Sequence, residues 1–500
     1  MTGVAVDIFI GAIPLFGSYP FALGYLLLPK STPALWRHIY TIVAAFFLVV
    51  LVFEQITFIK MISMSLLTYQ ILNFYKSTSG VMPIHVPIVI FFGNMGYLSW
   101  NLLSSQILHS ETTTFDQTIP LMVLTIKLTS FGWAVYDGTR PEESLSAEQT
   151  KFVIKELPDL LEYMGYLFFF PSFMVGPAIE LRDYQAFIHG LAPFDKRPST
   201  LVPTLKKLGV CIVYMVVYLT CLSRVPISFT KTPEFAANWL PVKFAYVFVA
   251  GFVQRFKYYT AWSLTDGSST LVGFGYSGFN PKTNKHEWLR ARNVDVYGLE
   301  LAENMRGLLE SWNMKTANWL RSSVYLRLMS FGKEYAFLAT FATFITSSFW
   351  HGFHPGYYLT FASGSLVTMV ARLSRRHLRP LFMSPSKWSV YKPIYDWVGW
   401  FCTVMVVDYI VIPFILFRLD DSITAWKALY FIPHVGMIVF VAGFEWLAWG
   451  KYCKQLGKSL GVEEGVGRDG PLVKKLSESH AHKHGSVNGI VAANGLKKVK

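Results

Sequence analysis

Long apolar runs, separated by short polar stretches, dominate the chain from residue 4 to residue 449. A helix that crosses a bilayer needs about 20 mostly apolar residues. Runs of roughly that kind cover 4–28, 39–58, 61–74, 86–108, 119–135, 163–175, 205–222, 244–262, 335–349, 357–370, 397–417 and 428–449. Runs such as 61–74 and 163–175 are too short to cross comfortably and read as re-entrant or tilted segments. The pattern predicts an all-α polytopic membrane protein with about eleven crossings, plus re-entrant and interfacial helices. Residues 1–450 form one transmembrane unit, and 451–500 are a polar, disordered tail.

Basic residues set the expected orientation. Lys30 and Arg37 mark the first loop as cytosolic and the N-terminus as lumenal. The Lys-rich tail is cytosolic by the same rule, so the crossings are odd in number. Lys497 and Lys498 resemble a dilysine address of the endoplasmic reticulum. The first apolar run lacks a basic start and a small-residue cleavage site, so it reads as a retained helix.

Composition agrees with a membrane location. Hydrophobic residues make up 52% and charged residues 15% of the chain, against about 25% charged in soluble domains. The net charge of +14 lies in loops and tail, where it suits topology and lipid headgroups, not nucleic acid. Cys211, Cys221, Cys402 and Cys453 form no CxxC pair and read as free thiols, with neither a disulfide frame nor a metal site. His480, His482 and His484 in the tail are a weak metal cluster at most.

Three polar segments interrupt the pattern. Residues 137–159 contain a helix start at Ser146, with Gln149 as capping-box partner. Residues 273–306 hold glycines at spacings that fit no phosphate-binding loop, and fold over the membrane surface beside the site. Residues 375–392 form a basic interfacial loop around Arg375, a contact for phosphates or a topology marker.

Candidate chemistry concentrates in three stretches. Residues 347–358, SSFWHGFHPGYY, place His351 between two apolar runs. An ionisable group at membrane depth is costly, so His351 is either a packed core histidine or a proton carrier. Residues 310–325 mix Trp312, Trp319 and Tyr325 with Asn313, Lys315 and Arg321. That composition fits an interfacial helix with snorkelling cations, or an amide delivered to a buried site. Residues 166–180 carry Pro171, Gly176 and Pro177, which break an apolar helix and leave either a kink or a chamber wall.

Together, WNMKTANWLRSSVY, SSFWHGFHPGYY and FFFPSFMVGPAIE resemble the membrane-bound O-acyltransferase (MBOAT) family. The likeness runs from about residue 4 to residue 449 and is strongest to the lysophospholipid acyltransferase branch, above all its broad-specificity fungal type. It implies a helical bundle around an internal chamber. It also implies transfer of an acyl group from acyl-CoA, a substrate and not a cofactor, to the free hydroxyl of a lysophospholipid. His351 and Asn313 match the branch's catalytic pair. His351 would be the general base, and Asn313 would bind substrate or the thioester carbonyl. Trp312, Lys315, Trp319, Arg321, Tyr325, Trp350 and Tyr357 are candidate substrate contacts. Lys315, Arg321 and the Arg375 loop face the CoA phosphates in this reading, and Phe168–Phe170 or Tyr357 and Tyr358 line acyl tunnels. His354 is either structural or a support behind the site residues. The rivals are another MBOAT acceptor, such as a sterol, a diacylglycerol or a protein, and a transporter or channel. Against transport, the chain shows no inverted repeat and no paired intramembrane carboxylates.

Overall fold

The computed structural model describes residues 3–78, 80–108 and 117–462. The chain opens with α1 (Gly3–Leu26), α2 (Ala34–Val50), α3 (Gln55–Thr78), α4 (His85–Leu108) and α5 (Thr118–Gly138). The apolar run 39–58 is therefore two helices divided at 51–54, and the short run 61–74 is the middle of a 24-residue helix. Helix α5 is central. Its spanning window is 83% buried within the protein, against 17% for the later helix Leu201–Cys221.

Helix α6 (Ala147–Phe152) starts at Ser146 with the full capping box, Gln149 N–H donating to Ser146 Oγ and Ser146 N–H to Gln149 Oε1. The broken apolar segment is α7 (Leu160–Leu167) and α8 (Phe170–Phe173), followed by a loop to α9 (Leu181–Ile188). Gly176 in that loop has a φ of +86°. The buried Lys127 ammonium of α5 donates to the carbonyls of Tyr166 and Leu167 at 2.9 and 3.0 Å, where α7 ends. These two carbonyls, left free by the break, thus gain a charge-assisted partner.

Next come α10 (Leu201–Cys221), α11 (Pro233–Ala237) and the long α12 (Leu240–Val272). The polar segment 273–306 contains a small hairpin, β1 (Gly278–Asn280) with β2 (Lys285–Glu287), in register Gly278 to Glu287. Short helices α13 (Val296–Glu300), α14 (Met305–Ser311), α15 (Met314–Leu320) and α16 (Leu326–Met329) follow, with a π-helical turn over Arg321–Tyr325. Then come α17 (Ala336–His351), α18 (Pro355–His377), α19 (Lys392–Ile410), α20 (Ile412–Leu416), α21 (Leu419–Ala428), α22 (Ile432–Glu445) and α23 (Trp449–Ser459).

Among the described residues, four helical segments are long and apolar enough to cross a bilayer: His85–Ile107, Thr118–Gly138, Leu201–Cys221 and Lys387–Leu416. The pair α21–α22, bent by 79°, makes a fifth if counted as one span. Other long helices, such as α12, carry interior charges including Lys243, Arg255 and Asp266. Helix α23 carries ordered helix past residue 450, to Ser459. The rest of the tail, with His480, His482, His484 and the terminal lysines, lies outside the described residues.

Two apolar cores result. One joins α2–α5 and α7–α9 around Leu48, Leu124, Tyr163, Phe168 and Phe173, and reaches Trp350 of α17. The other joins α10, α12 and α18–α22 around Val247, Tyr259, Val367, Tyr409 and Trp426. The α17–α18 turn passes from the first core to the second.

Candidate active site

Gly352 ends α17 immediately after His351. Its φ of +126° lies where side chains other than hydrogen are strained, so the turn needs glycine. His354 caps α18 and Pro355 takes its first position, where a missing N–H costs nothing. Gly356 N–H then donates to Phe417 O at 2.9 Å, tying the start of α18 to the end of α20.

This anchoring gathers aromatic rings around His351. Phe361 stacks on the imidazole at 5.3 Å between centroids. Phe414 meets it edge-on at 5.0 Å, Trp350 edge-on at 4.7 Å, and Tyr357 lies at 5.6 Å. Among the described residues, neither ring nitrogen makes a hydrogen bond to the protein. His354 instead packs on Phe417 at 4.9 Å.

Asn313 begins α15 with φ +43°, a left-handed conformation that Asn tolerates. Its side chain does not cap its own helix. Asn293 Nδ2 donates to Asn313 Oδ1 at 3.0 Å. Asn293 Oδ1 accepts from Lys315 N–H at 3.1 Å, and Asn293 O accepts from Met314 N–H at 2.8 Å. Asn293 is thus spent on holding the turn. Among the described residues, Asn313 has its amide oxygen engaged and its NH2 left to donate. Trp312, beside it, packs among Tyr258, Tyr259 and Trp262 at 4.9–6.3 Å.

The helices that carry the two residues touch. Trp319 of α15 lies 6.0 Å from Trp350, the neighbour of His351. Both indoles are fixed, Trp319 Nε1 donating to Thr129 Oγ1 at 2.9 Å and Trp350 Nε1 to Met122 O at 3.1 Å.

Lys315, Trp319 and Arg321 line a cavity of about 400 Å³ with Lys127, Glu180 and Arg182. Among the described residues Arg182, Lys315 and Arg321 form no ion pair. Arg327, also in the wall, is paired with Asp137 at 2.6 Å. Burial pushes the Glu180 carboxyl up to about 7, against the opposing pull of Lys315 and Lys127. Trp312, Asn313, Tyr325, Trp350, His351, Tyr357 and Arg375 are not in this wall. Phe168–Phe170 are also displaced from the expected role: they are at most 1% exposed and packed on Phe58, Phe173 and Phe274, so they fill the first core and line no open tunnel.

The model of the membrane-bound O-acyltransferase family matches residues 102–412, a stretch that includes both His351 and Asn313. The chain belongs to the membrane-bound O-acyltransferase family. The relatives of this acyltransferase include a lysophospholipid acyltransferase of Schizosaccharomyces pombe, 38% identical over 86% of this chain and 84% of the relative. A lysophospholipid acyltransferase of Saccharomyces cerevisiae is 34% identical over 89% and 74%. A membrane-bound glycerophospholipid O-acyltransferase 1 of Homo sapiens is 32% identical over 86% of each chain.

In an O-acyltransferase the two sets of groups have complementary capacities. An imidazole with a free nitrogen can take a hydroxyl proton. A fixed amide NH2 can donate to an oxygen that gains negative charge. Sequence reasoning missed Asn293, Phe361 and Phe414. Asn293 stands in a charged segment of apparent surface character, and the two phenylalanines carry no mark distinguishing them from the chain's 39 others.

Proposed function

We propose that this O-acyltransferase moves a fatty acyl group from acyl-CoA to the free hydroxyl of a lysophospholipid. His351 removes the hydroxyl proton as the oxygen attacks the thioester carbonyl. Asn313 donates its NH2 to the carbonyl oxygen, which becomes an oxyanion in the tetrahedral intermediate. Collapse breaks the C–S bond, and the proton held by His351 passes to the leaving thiolate, directly or through water. One ester forms and one thioester breaks, with no acyl-enzyme and no metal or cofactor. The observation that carries the reading is the His351 imidazole, caged by aromatic rings yet, among the described residues, without a hydrogen-bond partner for its nitrogens. The acceptor rests on the names of the fungal relatives.

In the same reading, Arg182, Lys315 and Arg321 receive the CoA phosphates, and Trp319, Trp350 and Tyr357 flank the path to His351. The enzyme crosses the endoplasmic reticulum membrane about eleven times, with a lumenal N-terminus and a cytosolic C-terminus; the dilysine-like end and the distribution of Lys and Arg support this reading. The test is a substrate panel on the purified enzyme with labelled acyl-CoA and lysophospholipid, sterol or diacylglycerol acceptors. Label is expected in diacyl phospholipid. Label only in sterol ester or triacylglycerol would overturn the acceptor.

A further inference from the structure

A second cluster of chemistry-bearing side chains lies outside this site. His38 of α2, Glu162 of α7 and His189 at the end of α9 each offer one ligand atom, and these atoms all lie within 4.8 Å of one another. His38 and Glu162 are buried, at 4% and 7% exposure. The His189 side chain is 47% exposed and opens the cluster to water.

The surroundings are those of a held ligand set. His38 Nδ1 is 2.8 Å from Tyr184 Oη, which leaves Nε2 for another partner. Gln185 Nε2 donates to Glu162 Oε2 at 2.9 Å, and His189 Nε2 is 3.1 Å from Oε1. Ligating imidazoles and carboxylates characteristically have outer partners such as Tyr184 and Gln185. Gly165 is part of the cradle, since a Cβ there would come within 2.3 Å of Tyr184 Oη and 2.9 Å of His38 Nδ1. Among the described residues, Glu162 has no Lys or Arg partner. Its buried carboxylate therefore has no permanently charged partner there.

We propose that His38, Glu162 and His189 bind one divalent transition-metal ion, with water completing the coordination. Two imidazoles and one carboxylate suit Zn²⁺ and its neighbours, whereas Ca²⁺ and Mg²⁺ favour oxygen ligands alone. Tetrahedral bonds of about 2.1 Å set ligand atoms roughly 3.4 Å apart, so closure asks for shifts of about an ångström, within reach of the exposed His189 ring. The ion supplies the charge that Glu162 lacks and clips α2 to α7 and α9. Gln185, which orients the carboxylate, also lines the cavity that holds Lys315, so the clip braces one wall of that cavity.

The experiment uses the full-length protein in detergent, with His480, His482 and His484 changed to Ala in every sample. Protein stripped by a chelator is titrated with Zn²⁺, read by metal analysis and by competition with a chromogenic chelator. Co²⁺ absorption serves as an independent spectroscopic readout. One tight equivalent per chain is expected, with a raised melting temperature. Glu162→Gln and His189→Ala should each abolish it, along with the tetrahedral Co²⁺ bands. His189→Ala, at an exposed position, keeps the test valid if the buried variant fails to fold. No saturable equivalent, or one that persists in His189→Ala, would overturn the site.

Discussion

His351 and Asn313 differ in how the protein holds them, and this difference makes their substitutions predictable. Among the described residues the His351 side chain is held by ring contacts, with no hydrogen bond, so His351→Ala removes the base while its neighbours stay packed. Acyl transfer should fall by about 10²–10⁴-fold with normal assembly; full turnover in a well-assembled variant would exclude it as the base. Asn313→Ala removes one donor to the developing oxyanion, which corresponds to about 10²–10³ in kcat. Asn293 acts through Asn313 and is a positioning residue. In Asn293→Asp the carboxylate keeps its acceptor role toward Lys315 N–H but has no NH2 for Asn313 Oδ1. If that orientation matters, Asn293→Asp should lower kcat about as much as Asn293→Ala, with KM for acyl-CoA little changed. A wild-type kcat in Asn293→Asp would show that the Asn293–Asn313 bond is irrelevant to turnover. Glu180 gives a pH-dependent case. Its carboxyl is raised from 4.5 to about 7 by burial, so it gains a proton as pH falls through 7 and leaves Lys315 less compensated. KM for acyl-CoA should therefore fall from pH 8 to pH 6, and Glu180→Gln should flatten that trend. An identical KM profile in Glu180→Gln would rule out this role.

Helices and turns were legible in the sequence wherever the signal was local. The Ser146–Gln149 capping box forms as the residue types require, and Pro171, Gly176 and Pro177 break their segment. Crossing number was less legible. Hydropathy does not separate a run that faces lipid from one enclosed by other helices, and α5 and α10 have similar hydropathy but very different burial. It also overlooks bends such as the one between α21 and α22, where Tyr430 and Phe431 both take positive φ. The histidine and asparagine of the candidate site stood out as polar groups in apolar or aromatic stretches. Their supports did not, because Asn293 and Phe414 come from 20 residues upstream of Asn313 and 63 residues downstream of His351. The α17–α18 turn is the element on which the site depends most. Gly352→Ala places a side chain at φ +126°, a strain of about 1–3 kcal/mol. The cost is met by shifting the turn that aims His351. A drop in kcat larger than the loss in melting temperature would predict is the expected signature, measured on the same purified sample. A variant with unchanged kcat would mean that the turn has room to relax.

At the scale of the molecule, the second core is held by charges as well as rings. Arg255 of α12 donates through Nε and Nη2 to Glu300 of α13 at 2.8 and 2.9 Å, and through Nη1 to the buried Asp408 of α19. Tyr259 adds a hydrogen bond to Glu300 and packs on Trp312, next to Asn313. The carboxylates of Glu300 and Asp408 do come together within the helical bundle, but both accept from one guanidinium, which offsets one of their two charges. That is an arrangement for holding helices, unlike the free pair expected for ion coupling. Removing one partner of a buried pair leaves an uncompensated charge and costs about 3–5 kcal/mol. Arg255→Leu should therefore lower the melting temperature sharply and, by loosening α13, weaken the hold on the Asn293–Asn313 turn. Adding Asp408→Asn to Arg255→Leu removes the stranded carboxylate. The double variant should regain part of the lost stability while kcat stays low, because Glu300 is still without its bidentate partner. Thermal unfolding in detergent, run beside acyl-transfer assays, separates the two effects. A double variant no more stable than Arg255→Leu alone would show that the Asp408 charge is not what the guanidinium offsets.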